Sequence, residues 1–327
     1  MAGVVASVHP GEDWIERAYA NGGYPVWQHL AHTVTALFPF SLGDIVVLSL
    51  VALVGLSLRR GLRGLFDAFL VLLVAYAWFE AGWGWNYARA PIEVRLPTFD
   101  AAAVNARGVT LLRREAIAQV NALAPLAHAR MSVGFKRSQL RAAWLPVVRV
   151  LGDRWNPHVG APKWTIARPF MALNGTTGFI NPLTLESQLA PDLLWFEVPF
   201  SLAHEWSHVA AFAREDEANY IGLLACIRDP DPVARYSGWL ELLLALPPRA
   251  TYAHSTFTPL VWSDFAAIRA RNAHYVNLDF SRFSWGTYNH YLKSNHIASG
   301  IANYGEVTRL LLGIPRTETN LPRATLR

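Results

Sequence analysis

The chain of 327 residues contains a single cysteine, Cys226, and only 16% charged residues. One cysteine excludes an internal disulfide framework and a cysteine-rich zinc site. No lysine or arginine run is long enough for a nucleic-acid-binding stripe, so we expect no nucleic-acid partner despite the formal net charge of +5. The first residues lack the pattern of a signal peptide. What the chain has instead is 52% hydrophobic residues and 13 tryptophans, which indicates contact with lipid.

Two hydrophobic segments, residues 38–58 and 65–85, are each about as long as a bilayer-spanning helix. The connector RRGLRG carries the arginines expected of a cytoplasmic loop, and the far end of the second segment carries the Trp and Tyr residues of an aromatic belt. We predict a transmembrane helical hairpin whose two ends lie outside the cytoplasm. Because the uncharged centres of both segments are shorter than a span, a pair of buried core helices is the alternative.

The remaining segments predict a mainly α fold with two regions. Residues 22–37 predict a short amphipathic helix on the outer surface. Beyond residue 90 the composition becomes that of a soluble domain, with helical periodicity almost throughout and one strand expected at 177–187. We therefore predict an N-terminal membrane region, residues 1–90, followed by a mostly helical domain with a small β element, residues 91–327.

The motif that carries chemistry is His204-Glu205-Trp206-Ser207-His208, or HExxH. On a helix, histidines four apart share a face, so both imidazoles can point at one ion. Two neutral imidazoles are typical ligands of Zn²⁺, and Glu205 can take a proton from water beside that ion. The structural alternative is a helix with a surface glutamate and two half-buried histidines.

An acidic cluster follows, and it offers two candidates for a third ligand. At about 100° per residue, Glu215 shares a helix face with Asn219, Gly222 and Cys226, all small enough to allow close packing on the HExxH helix. Glu217 falls among bulky side chains and is expected to face solvent. The pattern favours Glu215 as the third ligand and keeps Glu217 as the alternate. Asn219 is expected to hydrogen-bond and orient an imidazole.

These motifs resemble those of an uncharacterised bacterial family of membrane-anchored HExxH proteins. Its members carry HExxHxxGxAREDEANF, with Gly where this chain has Ala211. The matching stretches are FPFSLGD at 38–44, HEWSHVAAFAREDEANY at 204–220, YLKSN at 291–295 and NYGEVTRLLL at 303–312. The resemblance implies a zincin-like fold and a zinc-dependent peptidase with no established substrate, anchored in a bacterial membrane. From the orientation predicted for the hairpin, we expect it in the inner membrane with its catalytic domain outside the cytoplasm.

The sequence thus predicts a membrane-anchored zinc metallopeptidase with the lipid bilayer and a peptide or protein substrate as partners. His204, His208 and Glu215 would hold one Zn²⁺, and Glu205 would activate water. Tyr304 is a candidate hydrogen-bond donor to the transition state. The strand at 177–187 could hold substrate backbone by strand addition. The alternatives are a non-catalytic membrane protein with a structural zinc site, and a zinc hydrolase acting on a non-peptide amide or ester.

Overall fold

The computed structural model describes residues 11–96, 98–247, 251–294 and 306–314. Within these ranges the protein is mainly helical, with one two-stranded antiparallel sheet. The numbered elements are α1 Tyr24–Thr35, α2 Leu42–Leu58, α3 Leu62–Gly82, α4 Ala106–His128, α5 Arg137–Val150, α6 Arg168–Asn174, β1 Gly178–Asn181, β2 Glu186–Leu189, α7 Val198–Val209, α8 Glu215–Arg228, α9 Pro232–Ala245, α10 Pro259–Tyr275, α11 Leu278–Ser294 and α12 Val307–Gly313. Short helical pieces lie at Glu12–Trp14, Ile15–Gly23, Gly84–Ala88, Ile92–Arg95, Ala101–Ala103 and His254–Thr256.

The two hydrophobic segments fold as the antiparallel helices α2 and α3, which pack against each other. Helix α2 begins at Leu42, four residues later than the predicted segment, because Ser41 caps it by accepting a hydrogen bond from the Asp44 amide (3.3 Å). The carboxylate of Glu186 on β2 also accepts from the Leu42 and Gly43 amides, at 3.1 and 2.8 Å. The first turn of α2 is therefore tied to the β-hairpin.

Helix α3 is long and apolar enough to cross a membrane, with 21 residues of which the central apolar window is 11% buried. That exposure does not fit a core helix of this chain, so the alternative of buried core helices is wrong for α3. Helix α2 is also strongly apolar and has 17 residues, at the lower limit of the length that spans a bilayer. Among the described residues α3 is therefore the one candidate for a full-length span, where the sequence predicted two, and α2 is a shorter apolar helix beside it.

The small β element differs from the single strand predicted at 177–187. It is a hairpin in which Gly178 pairs with Leu189 and Asn181 with Glu186. The chain turns after Asn181 because its side-chain oxygen accepts a hydrogen bond from the Leu183 amide (3.0 Å), and Leu185 adopts a left-handed φ of 57°. The Asn-Pro pair is therefore a turn and not strand interior.

Helix α8 lies at the centre of the helical domain and packs against α5, α7, α9 and α12. The hydrophobic core around it includes residues from before position 90. Tyr24 donates a hydrogen bond to the Val209 carbonyl (2.9 Å), and Trp83 donates one to the His208 carbonyl (3.2 Å). The N-terminal region therefore packs directly against the helix that carries HExxH.

Candidate metal centre

The HExxH motif occupies the last turns of α7, which ends in a tight helix-terminating turn. The amide of Ala211 donates to the His208 carbonyl (3.0 Å), and the Phe212 amide donates to the Ser207 carbonyl (3.1 Å). This pair of bonds is the Schellman arrangement, which requires a left-handed residue after the helix, and Ala211 has φ of 71°. This conformation favours glycine, so an alanine at position 211 adopts it at an energetic cost.

This turn sets the orientation of His208. It brings the Phe212 carbonyl to 2.8 Å from His208 Nδ1. A carbonyl oxygen only accepts hydrogen bonds, so Nδ1 carries a proton and Nε2 is the ring nitrogen that faces the cluster. Backbone fixing of one ring nitrogen is the usual way in which a histidine ligand is held.

His204, His208 and Glu215 form a buried cluster that could hold a metal ion. The two Nε2 atoms lie 3.1 Å apart, and Glu215 Oε2 lies 3.3 Å from that of His204 and 3.5 Å from that of His208. Burial alone would lower the pKa of His208, but the Glu215 carboxylate raises it to about 9. The pKa of Glu215 is depressed despite its burial, chiefly by His208. The cluster therefore favours a positive charge among its three ligand atoms.

Close packing of α8 on α7 delivers Glu215 to the histidines. A Cβ atom on Gly222 would lie 3.2 Å from the His204 amide nitrogen, so the two helix backbones nearly touch there. Gly222 and Glu215 lie on the face of small residues that the sequence predicted to pack on α7. Glu215, the first residue of α8, consequently has its carboxylate within 3.5 Å of both imidazoles.

Glu205 lies beside the cluster and borders a cavity of about 580 Å³. Burial raises its pKa to about 7, against the lowering effect of His204 and His208. Its Oε2 atom is buried and has no hydrogen-bond partner among the described residues. Gly178 of β1 makes this position possible, because a Cβ atom there would lie 2.6 Å from Glu205 Oε1.

Glu217 does not join the cluster, and the expectation that it faces solvent is wrong. It is 2% exposed, accepts a hydrogen bond from the Ile92 amide (2.8 Å) and lies 3.7 Å from the Arg95 guanidinium. The chain at 92–95 covers the start of α8 and buries this carboxylate. Glu217 therefore fixes that segment to α8.

The other two predicted site residues are not brought to the histidines. Asn219 lines a neighbouring cavity together with His204, but no described hydrogen bond joins it to either imidazole. The ring nitrogen of His208 that it could have bound already contacts the Phe212 carbonyl. Tyr304 lies outside the described residues.

Two residues around the centre were not predicted to belong to it. Trp83 was assigned to an aromatic belt, yet it is 5% exposed and its ring lies 6.3 Å from that of His208. Arg89 donates to the Ala211 carbonyl (3.1 Å) and stacks 5.0 Å above the Phe212 ring, so it stabilises the helix-terminating turn. No local pattern marks either residue, because both reach the turn across more than a hundred positions of the chain.

Comparison with known proteins gives one match. Residues 19–312 match the family described as "Protein of unknown function (DUF3810)". No curated protein and no solved structure matches the chain.

Proposed function

We propose that this chain, which belongs to this family of proteins of unknown function, is a membrane-anchored zinc-dependent metallopeptidase. The proposal rests on the geometry of its buried cluster. The observation that carries the proposal is the triangle of ligand atoms with edges of 3.1, 3.3 and 3.5 Å, flanked by the partnerless Oε2 of Glu205. The zincin-like character of the domain belongs to the same proposal.

The donor set and its spacing fit Zn²⁺. Ligands at the 2.0–2.1 Å usual for zinc, placed tetrahedrally, lie about 3.3–3.4 Å apart, which matches the three edges. Zn²⁺ with two neutral imidazoles and one carboxylate would carry a net charge of +1. When bound, Zn²⁺ would polarise a substrate carbonyl and make a nearby water more acidic.

Glu205 is placed to handle the protons of hydrolysis. Its carboxylate would accept a proton from water as the oxygen attacks the carbonyl carbon, and then return it to the departing amine nitrogen. The C–N bond breaks, with water supplying the hydroxyl of the new acid and a hydrogen of the new amine.

A polypeptide substrate is favoured by the strand that borders the cavity. Residues Gly178, Phe179 and Ile180 of β1 line the cavity beside Glu205, and β2 pairs with the other edge of β1. An extended peptide could add to β1 by backbone hydrogen bonds, which would bring its carbonyl groups past the metal centre.

The membrane anchor in this proposal is the hairpin of α2 and α3, with its connector on the cytoplasmic side and the metal centre outside the cytoplasm. The exposed apolar surface of α3 and the arginines at 59, 60 and 63 support it. Digestion of spheroplasts, from which the outer membrane has been opened, and of inverted inner-membrane vesicles with an added protease tests the orientation. Protection of the helical domain in spheroplasts together with its cleavage in inverted vesicles would contradict it.

The experiment that tests the activity is metal removal and restoration. Purified full-length protein should hydrolyse a pool of quenched-fluorescent peptides, lose this activity when a chelator strips the metal, and regain it with one equivalent of Zn²⁺. Hydrolysis that persists in metal-free protein would rule out the proposal. A fourth protein ligand on the bound ion would favour the non-catalytic, structural site instead.

A further inference from the structure

The end of α3 forms one wall of the cavity that contains the metal centre. Phe79 lies in the last turn of α3, Trp83 and Tyr87 follow it, and all three line the cavity. Trp83 comes directly after the apolar span Leu62–Gly82 and donates its hydrogen bond to the backbone of His208. The metal centre is therefore adjacent to the end of the span.

A second part of the cavity lining also lies at the base of the hairpin. Ala167 and Phe170 line the cavity, and the amide of Ile166 donates to the Asp44 carboxylate (2.8 Å) in the first turn of α2. Since α2 and α3 run antiparallel, the start of α2 and the end of α3 are at the same level. Exposed apolar side chains in the same segment, outside the cavity lining, are Trp164 (52%), Ile166 (50%) and Leu173 (44%).

Helix α1 continues the exposed apolar surface at this level. Val26, Leu30 and Val34, spaced four apart on one face, are each more than half exposed. Beside them, Trp27 contacts Trp78 of α3 with ring centroids 5.6 Å apart. An apolar stripe on a helix beside tryptophans at the end of a span is typical of a helix lying in the bilayer interface. The bilayer that surrounds α3 would cover this surface as well.

The metal centre lies between two adjoining cavities. The first is lined by Phe79, Trp83 and Phe170 among others. A second cavity of about 340 Å³ shares Gly178 and Glu205 with the first and is also lined by Asn219 and Glu241. Strand β1 thus borders both cavities beside Glu205, and a strand edge there suits an extended polypeptide better than a lipid.

We infer that the cavity opens at the membrane surface and that its substrate is the juxtamembrane segment of a membrane-anchored polypeptide. The inference rests on the proposed peptidase function and adds the substrate class. Attack would fall on a peptide bond within a few residues of the membrane, because the metal centre contacts the residue that directly follows the span.

The test varies the distance between a lipid anchor and the peptide. Zinc-loaded full-length protein in nanodiscs of phosphatidylcholine and phosphatidylglycerol is given one quenched-fluorescent peptide pool in three forms. One is acetylated and soluble, and two are palmitoylated, with hydrophilic spacers of about 2 and about 20 residues that reach roughly 7 and 70 Å. The short-spacer form should be cleaved at least as fast as the long-spacer form, and about 10-fold or more faster than the soluble form.

Three results overturn the inference. A short-spacer peptide that resists cleavage while the long-spacer peptide is cut would put the site away from the membrane. Equal rates of cleavage of the soluble and anchored forms would exclude a membrane-anchored substrate class, while the proposed peptidase function would stand. Release of fatty acid from the nanodisc lipids, with no form of the peptide cleaved, would refute the peptidase function itself.

A second readout does not depend on activity. Cys226 is fully buried, so an environment-sensitive thiol dye marks introduced cysteines alone. Dye at Leu173→Cys should show the blue shift of a lipid environment and be quenched by spin-labelled lipid. Dye at Leu126→Cys, a similarly exposed leucine on α4, should show neither. Equal quenching at both positions would overturn the placement of the cavity entrance.

Discussion

Replacing Glu215 or Glu217 by glutamine is a matched pair of perturbations in the first turn of α8. Both side chains are buried, 5% and 2% exposed, and both changes keep the shape while removing one negative charge. Only Glu215 has its Oε2 atom within 3.5 Å of both imidazoles. We therefore predict that Glu215→Gln loses zinc affinity, whereas Glu217→Gln loses stability.

Glu215→Gln should weaken zinc binding by more than about 100-fold. Loss of a group that merely orients a ligand costs about 10–100-fold in metal affinity, and Glu215 is itself a charged ligand. A 100-fold loss corresponds to about 2.7 kcal/mol of binding free energy. The apparent affinity is measured by competition with a chromophoric chelator, with the zinc content of the dialysed protein as a check.

Glu217→Gln should leave zinc binding unchanged and lower the free energy of unfolding. Its amide oxygen can still accept from the Ile92 amide, but the charge facing Arg95 is lost, which we expect to cost about 1–3 kcal/mol. Denaturant unfolding of the metal-free proteins measures this. If Glu217→Gln lost zinc while Glu215→Gln retained it, the assignment of the third ligand would be refuted.

Three further changes test the parts around the cluster. Gly178→Ala should displace the Glu205 carboxylate and slow hydrolysis by about 100-fold or more with zinc retained. Gly286→Ala, with open space around its Cβ position, is the control and should have no effect. Equal rates of hydrolysis by the two variants would refute the positioning role of β1. Ala211→Val should destabilise the left-handed turn by about 1–2 kcal/mol and weaken zinc binding, while Ala211→Gly should retain zinc. Wild-type zinc affinity in Ala211→Val would contradict the role of the turn. Asp153, whose carboxylate lies 3.4 Å from the Arg89 guanidinium, has its pKa raised by burial to about 7 from an unfolded value near 4. The folded state therefore holds an extra proton between these values, and the free energy of unfolding should fall as pH rises from about 4 to 7. Because the raised pKa of Glu205 adds to this slope, Asp153→Asn should reduce the slope without abolishing it, and an unchanged slope would contradict the reasoning.

The sequence predicted those parts of the site that depend on helical periodicity. Spacing of four places His204 and His208 on one face, and the small residues of α8 select the face that carries Glu215. Both inferences need only the 3.6-residue repeat, and the structure puts these three side chains together.

Contacts between distant segments decided what the sequence could not predict. Glu217 is buried because residues 92–95, more than a hundred positions earlier, cover it. His208 contacts the Phe212 carbonyl, which leaves Asn219 without the predicted role, because the left-handed Ala211 folds the chain back. Trp83 turns inward because α3 ends at Gly82, and composition alone assigned it to the membrane surface.

The measurement that tests the central claim most directly is peptide hydrolysis by Glu205→Gln with its metal content determined on the same sample. The substitution removes the proton acceptor and touches none of the three ligand atoms. We predict one zinc per chain, as in the wild type, and hydrolysis reduced by at least about 100-fold. A zinc-loaded Glu205→Gln protein that cleaves the peptide pool at the wild-type rate would contradict the account.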